Sequence, residues 1–177
     1  MRVIAGRYGG RRLAVPRGDA VRPTSDRVRE ALFSILGAGV QDTRVLDLFA
    51  GSGALGLEAL SRGAATATFV DSAPRAIAAL RANLAALDAE GEVVRADALR
   101  WLRTASAAAR QYDLVFLDPP YRRAPALGAG LSDLLPTVLA PGARVVVESD
   151  RRSPLELPIH FTDERRYGDT LIRIHAA

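Results

Sequence analysis

The sequence predicts an α/β fold, a mostly parallel sheet with helices on both faces, in a single domain over residues 1–177. Three observations carry that prediction. The apolar run Val45 to Phe49 empties into Gly51-Ser52-Gly53-Ala54-Leu55-Gly56 and then a helical pattern, which is strand, glycine loop and helix in succession. Short apolar runs alternate with helical segments along the rest of the chain, and four of them lead into an aspartate: Asp47, Asp71, Asp97 and Asp118. Finally, 177 residues at 49% hydrophobic content suffice for one ordinary core.

The chain opens with Arg2 to Ile4 and Arg11 to Val15, two expected strands joined by Gly6-Arg7-Tyr8-Gly9-Gly10. This makes residues 1–21 a basic hairpin extension with no pattern that builds a core. Within Arg22 to Gly37 an amphipathic helix follows, with Thr24, Ser25 and Asp26 as cap candidates and Gly37 as its stop. Val28, Leu32, Ile35 and Leu36 form its apolar stripe. Beyond the glycine loop, the helix Ala54 to Arg62 leads to a second buried strand, Ala67 to Asp71. A helix from Pro74 to Leu87, begun by proline, precedes the short strand Glu92 to Arg95. The next helix runs from Ala98 towards Ala109, with Trp101 and Leu102 as packing residues, and Tyr112 to Leu117 is the fourth strand. A helix over Leu131 to Leu139, a turn at Pro141-Gly142 and a strand over Ala143 to Glu148 complete the alternation. Ile159 to Tyr167 and Thr170 to Ile174, separated by Gly168-Asp169, read as a hairpin covering the sheet edge.

Composition narrows the chemistry. Zero cysteines exclude disulfides and thiolate metal sites, and two scattered histidines offer no ligand cluster, so no metal is expected. No apolar run approaches the roughly 20 residues that span a bilayer, so no membrane association and a cytoplasmic location are the expectations. All 24 basic residues are arginine, and residues 1–37 hold eight of them against three acids, whereas the remainder is almost neutral. A basic excess confined to one segment suits contact with phosphates, which makes Arg2, Arg7, Arg11, Arg12, Arg22 and Arg27 the candidate nucleic-acid-binding residues, a solvated arginine-rich arm being the alternative. Arg22, Thr24 and Arg27 lie at the start of the first helix, where they can approach a cofactor or RNA, and where capping and surface charge explain them nearly as well.

The ligand follows from the carboxylates. Gly51, Gly53 and Gly56 fit G-x-G-x-x-G, a weak signal alone, but Asp47 stands at the end of the first strand, where ligands of such sheets bind. A carboxylate there repels a pyrophosphate and attracts a sulfonium or ammonium, so electrostatics favours S-adenosylmethionine over NAD. Asp71, 24 positions on, suits ribose hydroxyls. Asp97 either accepts from the adenine amine or caps the helix beginning at Ala98. Asp47, Ala50, Gly51, Gly53, Asp71, Asp97 and Ala98 are thus the expected cofactor site. Two prolines after Asp118 stop the fourth strand and stiffen the loop, since neither donates a hydrogen bond.

Asp118-Pro119-Pro120-Tyr121, downstream of Asp47-Leu48-Phe49-Ala50-Gly51-Ser52-Gly53, resembles the Asp/Asn-Pro-Pro-aromatic motif of S-adenosylmethionine-dependent methyltransferases that modify exocyclic base amines. With Arg22-Pro23-Thr24-Ser25-Asp26-Arg27-Val28-Arg29-Glu30 and the basic hairpin, the chain resembles the RsmD family end to end. That resemblance implies a Rossmann-like class I methyltransferase sheet of seven strands with the last antiparallel, and guanine N2 of 16S ribosomal RNA as target. The RNA would be presented in a 30S subunit or assembly intermediate, to an enzyme expected to be monomeric. The catalytic set is then Asp118, Pro119, Pro120 and Tyr121. Asp118 and the Pro119 carbonyl would accept from the amine, and Tyr121 would stack on a base turned out of its helix or loop.

Three rival readings use less of the sequence. An NAD-dependent oxidoreductase leaves Asp47, the Pro-Pro motif and the basic arm without a role. A silent RNA-binding protein keeps the fold without the chemistry. A DNA methyltransferase acting on adenine N6 or cytosine N4 shares the Pro-Pro motif, but the chain has no separate target-recognition region.

Overall fold

Alternating side chains along the strands divide the apolar residues between two layers, one on each face of a seven-stranded sheet. The computed structural model describes residues 1–15, 25–120 and 124–177. In chain order the elements are α1 (Asp26–Leu36), β1 (Arg44–Asp47), α2 (Ala54–Ser61), β2 (Thr66–Asp71), α3 (Pro74–Leu87) and β3 (Glu92–Arg95). They continue with α4 (Ala98–Ala107), β4 (Tyr112–Leu117), α5 (Ala124–Leu134), β5 (Leu139–Asp150), β6 (Phe161–Tyr167) and β7 (Thr170–Ala176). The strand order is β3-β2-β1-β4-β5-β7-β6, parallel from β3 through β5, with β7 antiparallel to both its neighbours.

Val45, Phe69, Phe116 and Val146 face the layer of α1, α2 and α3, where Phe33 meets Phe116 at 5.8 Å. Leu46, Val70, Val115, Leu117 and Val147 face the other way, towards Trp101 and Leu102 of α4 and Leu131 of α5. The order reverses beside β1, whose neighbours β2 and β4 lie on opposite sides. That places a crevice at the carboxyl ends of β1 and β4, where ligands of open parallel sheets bind.

Several boundaries and roles differ from the sequence expectations. The first strand is Arg44–Asp47, because Leu48 and Phe49 already belong to the turn. In α1 the buried residues are Val28, Arg29, Leu32, Phe33 and Leu36; Ile35 is exposed and Phe33 takes its place. The helix expected over Leu131 to Leu139 begins at Ala124, ends at Leu134 and continues as one 3-10 turn, Leu135–Val138. Pro141-Gly142 lies within β5, where the β4 pairing slips between Tyr112 and Leu114. The two terminal strands are Phe161–Tyr167 and Thr170–Ala176.

The N-terminal arm is the largest correction. Instead of two strands it makes one antiparallel bridge, Arg2 with Arg12, and it does build core: Val3 is fully buried, and Tyr8 and Leu13 nearly so. Its backbone is held by α2. Ile4 and Ala5 N–H donate to the buried carboxylate of Glu58 at 2.6 and 3.1 Å, Tyr8 N–H to Ser61 Oγ at 2.9 Å, and Arg7 N–H to the Ser61 carbonyl at 2.7 Å. Of the expected extension, residues 16–21 lie outside the described residues.

Candidate active site

Three glycines shape the loop between β1 and α2. Gly53 has φ +83°, and a Cβ there would come within 2.4 Å of Leu80 Cδ1, so a side chain is excluded both by conformation and by space. At Gly56 a Cβ would sit 2.3 Å from the Phe69 ring, and its absence is what lets α2 lie close to β2. Gly51 is the opposite case: a Cβ there would meet nothing within 4 Å, so the loop backbone faces open space.

Around that space the sheet gathers carboxylates. Asp47, at the end of β1, is 2% exposed, and its Oδ2 accepts the Gly56 N–H at 3.0 Å. Burial raises its pKa to about 7; the Gly56 amide opposes the rise and the charge of Asp71 adds to it. Asp71 ends β2 and binds the loop itself, its Oδ2 accepting from Gly51 N–H at 2.9 Å and its Oδ1 from Ala73 N–H at 2.8 Å. Asp118 follows β4 directly and is partly buried beside Pro119. Its pKa is raised well above the usual carboxylate range, first by desolvation and then by the charges of Glu148 and Asp47.

Glu148 is the acid that the sequence reading did not select. Leu117 pairs with Val147, which brings Glu148 alongside Asp118 in the adjacent strand, 4% exposed. Its signal was present, since it ends the strand expected over Ala143 to Glu148 as the aspartates close or follow the first four. Asp97 stands apart from this group. It is exposed and caps α4, its Oδ1 accepting from Leu99 and Arg100 N–H at 3.1 and 3.3 Å, so the capping alternative describes its present contacts. Ala98 begins that helix and is buried, and Ala50 is buried in the glycine loop.

Two carboxyls of the crevice, Asp47 and Asp118, have their proton affinity raised, first by burial and then by neighbouring negative charge. A cationic ligand relieves both. S-adenosylmethionine, with its sulfonium and ammonium, fits this donor set, and a pyrophosphate does not. Among the described residues no group of His, Cys, Asp or Glu has metal-binding geometry, and no helix is long and apolar enough to cross a membrane.

The candidate RNA-binding arginines divide by contact. Arg2, Arg7, Arg11, Arg12 and Arg27 are all exposed. Arg2 lies 3.3 Å from Asp26, Arg7 lies over the Tyr8 ring, and Arg11 donates to the Ala86 carbonyl. The bridge sets Arg2 and Arg12 on one face of the arm. Arg29 is instead wholly buried, donating to the Arg2 carbonyl and to Asp26. Arg22, Thr24 and Tyr121 lie outside the described residues.

The chain is similar to known proteins over nearly its whole length. The family described as Conserved hypothetical protein 95 matches residues 1–176. The chain is 37% identical, over 92% of its length and 85% of the relative's, to ribosomal RNA small subunit methyltransferase D of Haemophilus influenzae. It is 46% identical to the Escherichia coli (strain K12) protein of the same name over 70% of this chain, a match spanning 61% of that protein's length. Among solved structures, a hypothetical protein of Thermus thermophilus superposes with a TM-score of 0.87 at 30% identity, over 100% of this chain and 99% of its own.

Proposed function

Since the chain belongs to the Conserved hypothetical protein 95 family, the RsmD family, we propose that it is an S-adenosylmethionine-dependent ribosomal RNA methyltransferase acting on the exocyclic N2 of a guanine in 16S RNA. The observation that carries this reading is the position of Asp118, confined beside Asp47 and Glu148 at a diproline corner that opens on the same crevice as the glycine loop.

When bound, S-adenosylmethionine supplies an electrophilic methyl group. Asp47 attracts the ammonium end, and the missing side chain of Gly51, where a Cβ would meet nothing within 4 Å, leaves room for the ligand beside the backbone, with Ala50 and Gly53 completing the loop. Asp71 already accepts the Gly51 and Ala73 amides, and a carboxylate has about four acceptor sites, so ribose hydroxyls can be added without displacing them. Asp97, with Ala98 behind it, offers its remaining acceptor sites to the adenine amine.

A guanine amine is a poor nucleophile because its lone pair is delocalised into the ring. Acceptors aimed at its two protons favour the pyramidal nitrogen, whose lone pair points at the methyl. Asp118 and the Pro119 carbonyl fill that part, held in place before the reaction begins by two residues that lack an N–H and have a fixed φ. As the nitrogen–methyl bond would form, the methyl–sulfonium bond would break with its electron pair returning to sulfur, S-adenosylhomocysteine would be the leaving group, and the methylated amine would give up a proton to solvent. Tyr121 stacks on the base, and Arg2, Arg7, Arg11, Arg12, Arg22 and Arg27 engage the phosphates around it.

The test is to incubate the protein with methyl-labelled S-adenosylmethionine and small ribosomal subunits from cells lacking the enzyme, then map the label. Label on guanine N2 of 16S RNA supports the assignment. Label on adenine N6 or cytosine N4, or none at all, defeats it.

A further inference from the structure

Asn83, on the buried side of α3, is 2% exposed and joins two segments far apart in sequence. Its Oδ1 accepts the Ala14 N–H at 2.7 Å; its Nδ2 donates to the Ala14 carbonyl at 3.0 Å and to the Ser52 carbonyl at 2.9 Å. One side-chain amide thereby holds the end of the basic arm and the middle of the glycine loop. A second contact ties the same two segments, Ser52 Oγ to the Met1 sulfur at 3.6 Å.

Both Nδ2 hydrogens are committed to these two carbonyls, and the amide that carries them is itself buried. Displacing the arm therefore strips a partner from the amide that positions Ser52, and displacing the loop does the same to Ala14. Ser52 lies between Gly51, whose backbone faces the crevice, and Gly53, which is fixed against Leu80.

From this arrangement we infer that Asn83 is a positioning residue through which RNA on the arm and cofactor in the glycine loop strengthen one another's binding. The inference rests on the reading of the arm as an RNA contact. Neither ligand touches Asn83; each favours the placement of the segment it binds, and the shared amide makes the two placements one. By linkage the effect is reciprocal, the same factor appearing in both affinities.

The test measures equilibrium binding of labelled S-adenosylhomocysteine to the full chain, with and without small ribosomal subunits from cells lacking the enzyme. In the wild type the subunits tighten binding by about fivefold or more. In Asn83→Asp, which keeps the acceptor for Ala14 N–H and loses both donors, the factor falls to about one, and Asn83→Ala behaves alike. An unchanged factor in either folded variant overturns the inference. A measurement on the wild type alone guards against variants that fail to fold: S-adenosylhomocysteine slows amide hydrogen exchange in peptides covering residues 1–15, and no change there overturns the inference as well. Arg7→Ala, Arg11→Ala and Arg12→Ala separate the two readings. If they leave subunit affinity unchanged, the arm is not an RNA contact; if they weaken it while coupling ignores Asn83, only the inference fails.

Discussion

Asp47 carries the clearest consequence at the scale of single residues. Holding a carboxyl at a pKa of about 7 instead of 3.8 costs the ligand-free fold on the order of 4 kcal/mol once the group is ionised. The sign is that of a raised acid: its contribution is fully present below the unfolded value and is lost as pH climbs from about 4 to about 7. A bound cation reverses the preference by favouring the ionised form. S-adenosylmethionine binding should therefore release protons, and its affinity should rise from pH 5.5 towards pH 7. Calorimetry in buffers of different ionisation enthalpy checks this, and proton uptake over that range would contradict it. Asp118→Asn should lower turnover by about 10²- to 10³-fold and leave cofactor affinity in place, because its contacts are made with the amine. Asp71→Ala should do the reverse, weakening cofactor binding by roughly tenfold or more as its charge-assisted bonds to Gly51 of the glycine loop and to Ala73 before α3 disappear. Binding isotherms and single-turnover rates on both variants separate these effects.

Among the elements, α2 works hardest, capped by the glycine loop at one end and carrying the arm along its side. Its approach to β2 depends on a missing methyl group. Gly56→Ala drives a carbon into the Phe69 ring and should lower stability by about 1–3 kcal/mol, read as a shift in denaturant midpoint. Most elements were legible in the sequence because their apolar periods are unambiguous: α3, β3 and β4 run over the residues that the patterns mark. α5 was not, because Gly128 and Gly130 depress helix propensity and hide its start. Packing supplies the missing reason, since a Cβ at Gly130 would lie 2.7 Å from Leu99 Cδ1 of α4. The glycine that weakens the helix is the one that lets it dock. The arm misled in the opposite direction, its many arginines masking Val3, Tyr8 and Leu13, which are spaced irregularly and packed by a turn. In the site, the aspartates at strand ends were legible because a parallel sheet sends all its carboxyl ends one way. Asn83 was not, because nothing local in α3 reveals that Ser52 and Ala14 meet over it.

For the molecule as a whole, charge is separated. The crevice is acidic and receives a small cation, while the basic excess lies on the arm that leads to it. On the proposed reading of the arm, phosphates are drawn beside the pocket and repelled from its floor, which orients a polyanion without allowing it to fill the cofactor site. Replacing Arg7, Arg11 or Arg12 by Ala should weaken RNA binding and reduce the slope of log affinity against log salt by about 0.7–0.9 for each phosphate left without its arginine. Titrations at several salt concentrations measure that slope, and an unaltered slope would remove the residue concerned from the RNA-binding surface.

The outermost strand on the β5 side, β6, is lined with opposite charges: Arg165 with Asp163, Arg166 with Glu164, and Glu164 again with Arg173 of β7. An open sheet invites a stranger's strand at each flank, and here the invitation is withdrawn by a row of ions that any newcomer must strip of water. Arg173 and Arg166 hold Glu164 below the usual carboxylate range, so this guard persists into mild acid. Strong acid combined with high salt would disarm it, and those are the conditions under which concentrated protein should begin to form fibrils.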